Sequence, residues 1–518
     1  MDHVLCGLAA NPALPAELVD RLIAVADADI AESLAVQKDL SRAQAVALAA
    51  RVPESGVRLA YEGLLTVADV DPVTQPHAAL ALLDERAGTP EWARHFAADP
   101  VLKHREKLAS CPGLPEDVRE ILAADPDVRV VTELALWTTP DMATRLAGHP
   151  HAEVRRAVAA NETTPPDVLA ALIGEELPPA HRCLVCDREV PPFVHEPQCP
   201  RSDCDLPPGA SCDGSHESTR HEIQKAALRN PGTPTEAVVG FVDHPSTLLR
   251  WTLAARPGLP AEVYRRLAAD PVPGVRADLA GNPVIGAALM RTLADDRDHG
   301  VRRRLAGNPY VPLDVLVHLA GDTRIGATLL PRIAAASPGE VRQMAQSPNP
   351  AVRMLVGQRR DLPPEIRDAL AGDVDTKVAQ SVAPHPGLTE VELRAMVDRH
   401  GVRVLAEVAT NPDASPALLE YLTRHEPPAQ KAFREIARHR NATVRALLAC
   451  LADRRARPVA AGHQALPPSV VVDLLADTDS QVGEAAAANP ALPLAVMSAL
   501  VPSCECPARP ADRSTSPV

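Results

Sequence analysis

The residues best suited to chemistry lie in one stretch, "CLVCDREVPPFVHEPQCPRSDCDLPPGASCDGSH" (183–216), which holds five of the chain's ten cysteines. Cys183 and Cys186 form C-x2-C, the spacing at which one backbone turn presents two thiolates to a single ion. Cys199 and Cys204 follow as C-x4-C after an interval of 12 residues. Two such pairs make a four-thiolate set of the kind that holds zinc tetrahedrally. Cys212 and His216 form a C-x3-H pair able to replace either half, and His195 is close in sequence. The metal candidates are therefore Cys183, Cys186, Cys199, Cys204, Cys212 and His216. Zinc is the expected ion, and which four of the six bind it stays open.

Metal is preferred to disulfides because the opening residues, "MDHVLCGLAANP", contain no basic segment followed by an apolar one. The expected location is the cytoplasm. The island is Pro-rich, without helical periodicity, and only about 43 residues long, too short to bury a sufficient core unaided. A metal or a set of disulfides has to hold it. Elsewhere the reactive residue types are scattered. His149, His151, His385, His400 and His463 stand mostly where neighbouring phrases carry Asn or Asp in a turn. There is no G-x-S-x-G, no phosphate-binding Gly-rich loop and no H-E-x-x-H. The sequence is expected to be non-enzymatic, and no small-molecule substrate is inferred from it.

The scaffold around the island is written in a short vocabulary. Aromatics make up 2% of 518 residues while Pro numbers 53, which points to thin layers of Leu, Val and Ala helices separated by regular turns. The net charge of −14 argues against a nucleic-acid partner, since phosphate affinity needs clustered Lys and Arg. No apolar run is long enough for a membrane span.

The phrase "NPALP" at 11–15 returns as "CPGLP" (111–115), "NETTP" (161–165), "NPGTP" (230–234), "RPGLP" (256–260), "NPYVP" (308–312), "HPGLT" (385–389) and "NPALP" (489–493). The phrases step by 24 to 27 residues through about eighteen units, with a single jump of 69 between 165 and 234 that contains the island. In "VRADLAGNP" (275–283), Val275, Leu279 and Ala280 fall on one face of a short helix that the Asn-Pro step must stop. In "TPPDVLAALI" (164–173), Thr164 is expected as N-cap, Pro165 at the first helical position and Asp167 at the third. Each unit thus reads as two short helices that cannot bury their apolar faces alone and must stack. The predicted fold class is an all-α solenoid with one Cys-rich inserted loop. Its parts are repeats over 1–174, the island over 175–220, repeats over 221–502 and a tail over 503–518.

Stacking also predicts rows. Arg129, Arg155, Arg250, Arg276, Arg302, Arg353 and Arg403 recur at the start of the first helix of their units. The row reads either as a basic stripe for an acidic partner or as a ladder paired with the recurring Asp125, Asp270 and Asp296, and the acidic total favours the ladder. The row Asn11, Asn161, Asn230, Asn282, Asn308, Asn411 and Asn489 reads as cap and turn chemistry.

The unit resembles the leucine-rich repeat variant family, whose pattern runs roughly V-R-x-x-L-A-x-N-P-x-x-P-x-x-x-L-x-x-L. "VRRAVAANETTPPDVLAALI" (154–173), "VRRRLAGNPYVPLDVLVHLA" (301–320) and "VGEAAAANPALPLAVMSAL" (482–500) carry the likeness, which fades in 60–90 and 425–460. It implies a right-handed superhelix related to HEAT and armadillo arrays, and a surface for a protein or peptide partner. Some members of that family carry a four-Cys iron–sulfur module ahead of their repeats, whereas this island interrupts them. The string "CDGSH" (212–216) also resembles the end of the CDGSH iron–sulfur signature, which implies Cys212 and His216 as cluster ligands. That family's upstream C-x-C pair falls on Arg201 and Asp203 here, with Cys204 the nearest thiol. An iron–sulfur protein for redox, electron transfer or sensing is therefore the alternative to a zinc-stapled scaffold. Nucleic-acid binding through the Arg row is a weaker third.

Overall fold

The computed structural model describes residues 2–174, 176–178, 180–187 and 217–502. Over these residues the chain is all-α, a tandem array of short helices in pairs. The paired grammar is realised as read. The helix Pro273–Gly281 buries Val275, Leu279 and Ala280, and Asn282 ends it in extended backbone. The second helix of a unit typically follows a proline and carries an acid in its first turn, as in Ala16–Val25, Pro166–Ile173, Ala261–Ala268 and Pro364–Ala371. Such acids complement the exposed amides and the positive end of the helix dipole. One detail differs from the sequence reading. Helix Pro166–Ile173 is capped by Pro165, so Thr164 lies one residue further out. Its hydroxyl instead donates to Val158 O at 2.7 Å, pinning the corner to the preceding helix.

The helices form two compact units. One comprises Leu83–Leu388, the other Met1–Leu82 together with Thr389–Val518. The core of each is built from Leu, Val, Ile and Ala contributed by successive helices, with Phe96 the largest fully buried side chain. The buried thiols Cys111 and Cys450 belong to this core. Burial is the main cause pushing both up to about 12, which makes them poor nucleophiles and ligands.

The Asn row is the joint between repeats. Each of the seven predicted asparagines accepts, through Oδ1, the amide two residues ahead: Ala13, Thr163, Gly232, Val284, Tyr310, Asp413 and Ala491. In Asn161, Asn230, Asn282, Asn308 and Asn489 the same side chain reaches back with Nδ2 to two carbonyls of the preceding repeat. Asn282 donates to Ala254 O and Arg256 O at 2.9 and 2.8 Å, and Asn308 to Ala280 O and Asn282 O at the same distances. Asn308 is 0% exposed. Turn formation and stacking are thus performed by one amide, and the cap-and-turn reading described only half of its work.

Where Asn is replaced, the substitute keeps the reach. Arg256 donates to Leu228 O and Asn230 O, and Arg359 to Ile333 O and Ala336 O. His439 and His463 each accept the amide two residues ahead on Nδ1 and donate Nε2–H to the carbonyls of Asn411 and His439. This neutral tautomer imitates the two ends of an asparagine amide. His385 likewise donates to Gly357 O at 2.7 Å. The corners without Asn at 111–114, 256–259 and 385–388 carry Pro-Gly, with Gly113, Gly258 and Gly387 at φ of 72°, 77° and 83°. The glycine supplies the left-handed step that the turn needs.

Two outcomes are expected. Asn308→Ala leaves two buried carbonyls of the preceding repeat without donors, a loss of roughly 2–4 kcal/mol. It should raise amide exchange in Pro273–Gly281 and His299–Ala306 well above that of distant helices. His385 has its pKa lowered, chiefly by burial and further by Arg360 and Arg367. The unfolded imidazole takes up a proton as pH falls through about 6.5, while the folded one resists. Its contribution is therefore complete above that pH and is lost as pH falls below it. His385→Asn should keep the joint and flatten the loss of stability measured between about pH 7 and pH 5.

Candidate functional site

The metal candidates divide at the boundary of the described residues. Cys199, Cys204, Cys212 and His216 lie outside them, as does His195. Cys183 and Cys186 lie inside, on a tight turn over Arg182–Asp187. The Cys186 amide donates to Cys183 Sγ at 3.4 Å, and the Asp187 amide to Cys183 O at 3.0 Å. The C-x2-C spacing thus produces a knuckle in which a backbone N–H points at the first sulfur. Cys183 is buried and Cys186 is exposed. Among the described residues alone, no three His, Cys, Asp or Glu side chains converge as a complete metal set.

The knuckle is fastened to the array. His181 and Arg182 donate their amides to Pro150 O, and Ala152 donates to Arg182 O at 2.9 Å, forming a short parallel bridge beside the helix Ala152–Ala160. His151 caps that helix by accepting the Glu153 amide on Nδ1, and its Nε2 meets Asp187 Oδ2 at 3.2 Å. Arg182 grips the same carboxylate at 3.1 Å through two nitrogens. Burial alone would raise the Asp187 pKa, but Arg182 and His151 outweigh it and hold the carboxyl below its ordinary value. Burial also lowers His151, more than Asp187 raises it, which favours the neutral ring that the cap requires.

Arg155 completes the attachment. It donates to His149 O at 2.6 Å, to Gly148 O at 3.4 Å and to Pro178 O. Sequence reasoning placed Arg155 in the row but could not see that its guanidinium ties the island's first residues to the corner. Across the island the stacking is undisturbed. Asn230, after the helix Glu217–Arg229, donates to Ala159 O and Asn161 O at 3.0 and 2.8 Å. The 69-residue jump therefore closes the same joint as the 26-residue steps.

Three of the seven arginines of the row, Arg250, Arg276 and Arg353, pair with aspartates as the ladder reading required, and Arg105 joins them. Arg105–Asp125, Arg250–Asp270, Arg276–Asp296 and Arg353–Asp373 are ion pairs of 2.6–2.7 Å, each spanning 20 residues. These aspartates are almost wholly buried, and their arginines are about 15% exposed. Arg105 was missed in the sequence because His104 replaces the usual Val before it. The other bonds of these arginines go to carbonyls six residues back: Asp99, His244, Asp270 and Ser347. Arg302 departs from the pattern and bonds Thr323 Oγ1 at 3.0 Å. Guanidinium groups bound in this way are not presented to a phosphate backbone. Among the described residues no helix is long and apolar enough to cross a membrane.

No protein-family model and no curated protein matches this chain. Among solved structures, an engineered protein from a structural genomics programme aligns over 84% of this chain and 98% of its own, at 15% identity and a TM-score of 0.16. The Pds5–Scc1 complex, described in connection with cohesin function, aligns over 91% of this chain and 61% of its own, at 13% identity and a TM-score of 0.13.

Asp187→Ala should release both Arg182 and His151 from the knuckle. Because the pair is partly solvent-exposed, the expected loss is about 1 kcal/mol. It should appear as a severalfold rise in exchange at the His181, Arg182 and Ala152 amides, with Glu217–Arg229 unaffected.

Proposed function

We propose that this chain is a non-enzymatic, cytoplasmic scaffold of leucine-rich-repeat-variant type that binds a protein or peptide partner. In this reading the Cys-rich island is a zinc-stapled loop held rigidly against the array. The Cys186 amide directed at Cys183 Sγ supports the metal assignment, because it is the local geometry that a C-x2-C ligand pair uses. The attachment through His151, Arg155 and Asp187 supports a rigid protrusion, since it fixes the first ligand pair to a helix cap. The scaffold reading is supported by the two ladders. The polar residues that recur along the chain are engaged in stacking, which leaves recognition to the exposed side chains between them.

The test is metal content. Protein purified without added metal should be colourless and hold about one zinc per chain, and Cys183→Ser should lower that content. A brown preparation with iron and labile sulfide would replace zinc by the iron–sulfur reading of Cys212 and His216. A chain without bound metal would remove both.

A further inference from the structure

The unit that comprises Met1–Leu82 and Thr389–Val518 contains one joint that does not join neighbouring stretches of chain. The first repeat, with helices Asp2–Ala9 and Ala16–Val25, stacks on the last, with helices Ser480–Ala487 and Leu494–Leu500. Asn11 donates to Ala487 O at 2.9 Å and to Asn489 O at 2.8 Å, across more than 470 residues. Those are the distances and partners of the ordinary joints at Asn282 and Asn308.

The carbonyl chain of this unit runs on through that joint without a break. Asn411 O accepts from His439, His439 O from His463, His463 O from Asn489, and Asn489 O from Asn11. Arg21 adds bonds to Ser498 O at 3.3 Å and Val501 O at 2.5 Å. The fit is close. A Cβ on Gly7 would lie 2.1 Å from Glu484 O, so the two helices meet backbone to side-chain-free backbone. Leu8 and Ala9 on one side, and Val482, Ala486 and Ala487 on the other, are fully buried.

We infer that this joint is a clasp, the seam at which the two separate stretches of this unit close on each other and at which they open together. An eight-residue helix such as Asp2–Ala9 is not stable alone in water. Its order therefore depends on the Ser480–Ala487 face. That face depends on it in turn, because opening exposes the Ala487 and Asn489 carbonyls and the apolar residues around them. Every other joint compared above links repeats adjacent along the chain, apart from the island's jump. This one links stretches that meet only through the fold, which makes it the natural opening point of the unit.

Denaturant-dependent hydrogen exchange on the full chain tests this without mutation. Amides of Asp2–Ala9 and Ser480–Ala487 should share one opening transition and lose protection together, ahead of Val444–Leu451. Asn11→Ala and Gly7→Ala should then raise exchange in both segments by the same factor, at least tenfold. Gly339→Ala, where an added Cβ has open space, should leave both unchanged. The clasp is overturned if Asp2–Ala9 exchanges like an unprotected segment in the unaltered chain. It is equally overturned if the two substitutions affect Asp2–Ala9 and leave Ser480–Ala487 as before.

Discussion

The stacking of most of these repeats rests on a buried polar side chain at the corner. A stack of short helices leaves carbonyls at each helix end, and burial by the next repeat removes the water that would satisfy them. Asn at the corner resolves this with a single side chain. Its oxygen shapes its own turn and its nitrogen satisfies the repeat before. The turn and the joint are therefore coupled, and a repeat is properly made only when its neighbour is present. Quasi-one-dimensional stability, built from nearest-neighbour terms, follows from that coupling.

A second ladder runs along the opposite corner of several repeats, and its chemistry is ionic. The aspartates Asp125, Asp270, Asp296 and Asp373 accept an amide two residues ahead and a guanidinium from the repeat before. Burial raises Asp296, but hydrogen bonds and charge from Arg276 outweigh it and leave the carboxyl below its usual range. Asp373 is held down in the same way by Arg353, so these two rungs are ionised and paired at neutral pH. This is how a chain can repeat arginine at a fixed position and hold Arg105, Arg250, Arg276 and Arg353 in ion pairs between repeats.

The period, the two-helix unit and both rows were legible because each is imposed by backbone geometry. Pro and Asn-Pro stop helices wherever they occur, and apolar spacing of four and five marks a face. What could not be read was substitution by reach. Arg256 and Arg359 share neither size nor charge with Asn, and the position of the carbonyls they serve reveals the equivalence, whereas His385 already read as a turn residue in place of Asn or Asp. A signal was present in the register, since "RPGLP" and "HPGLT" stand in phase with "NPALP". The docking of the Cys183 knuckle left no such trace, because it depends on Pro150 O and on the single exchange of an Asp-type cap for His151.

The two ladders also explain where the island is spliced. An insertion at an Asn corner would pull the amide out of reach of two buried carbonyls and sever the stack. At the Asp corner it interrupts at most one ion pair and leaves the Asn joint in place. The structure follows that logic. Asn230 still meets Ala159 O and Asn161 O across the jump, and Arg155, in the repeat before it, bonds Pro178 O and His149 O. Those bonds begin the tether that the knuckle completes. The corner that can be opened without loss of stacking is the one at which a new element can be attached, and Arg155 is among the residues that attach it.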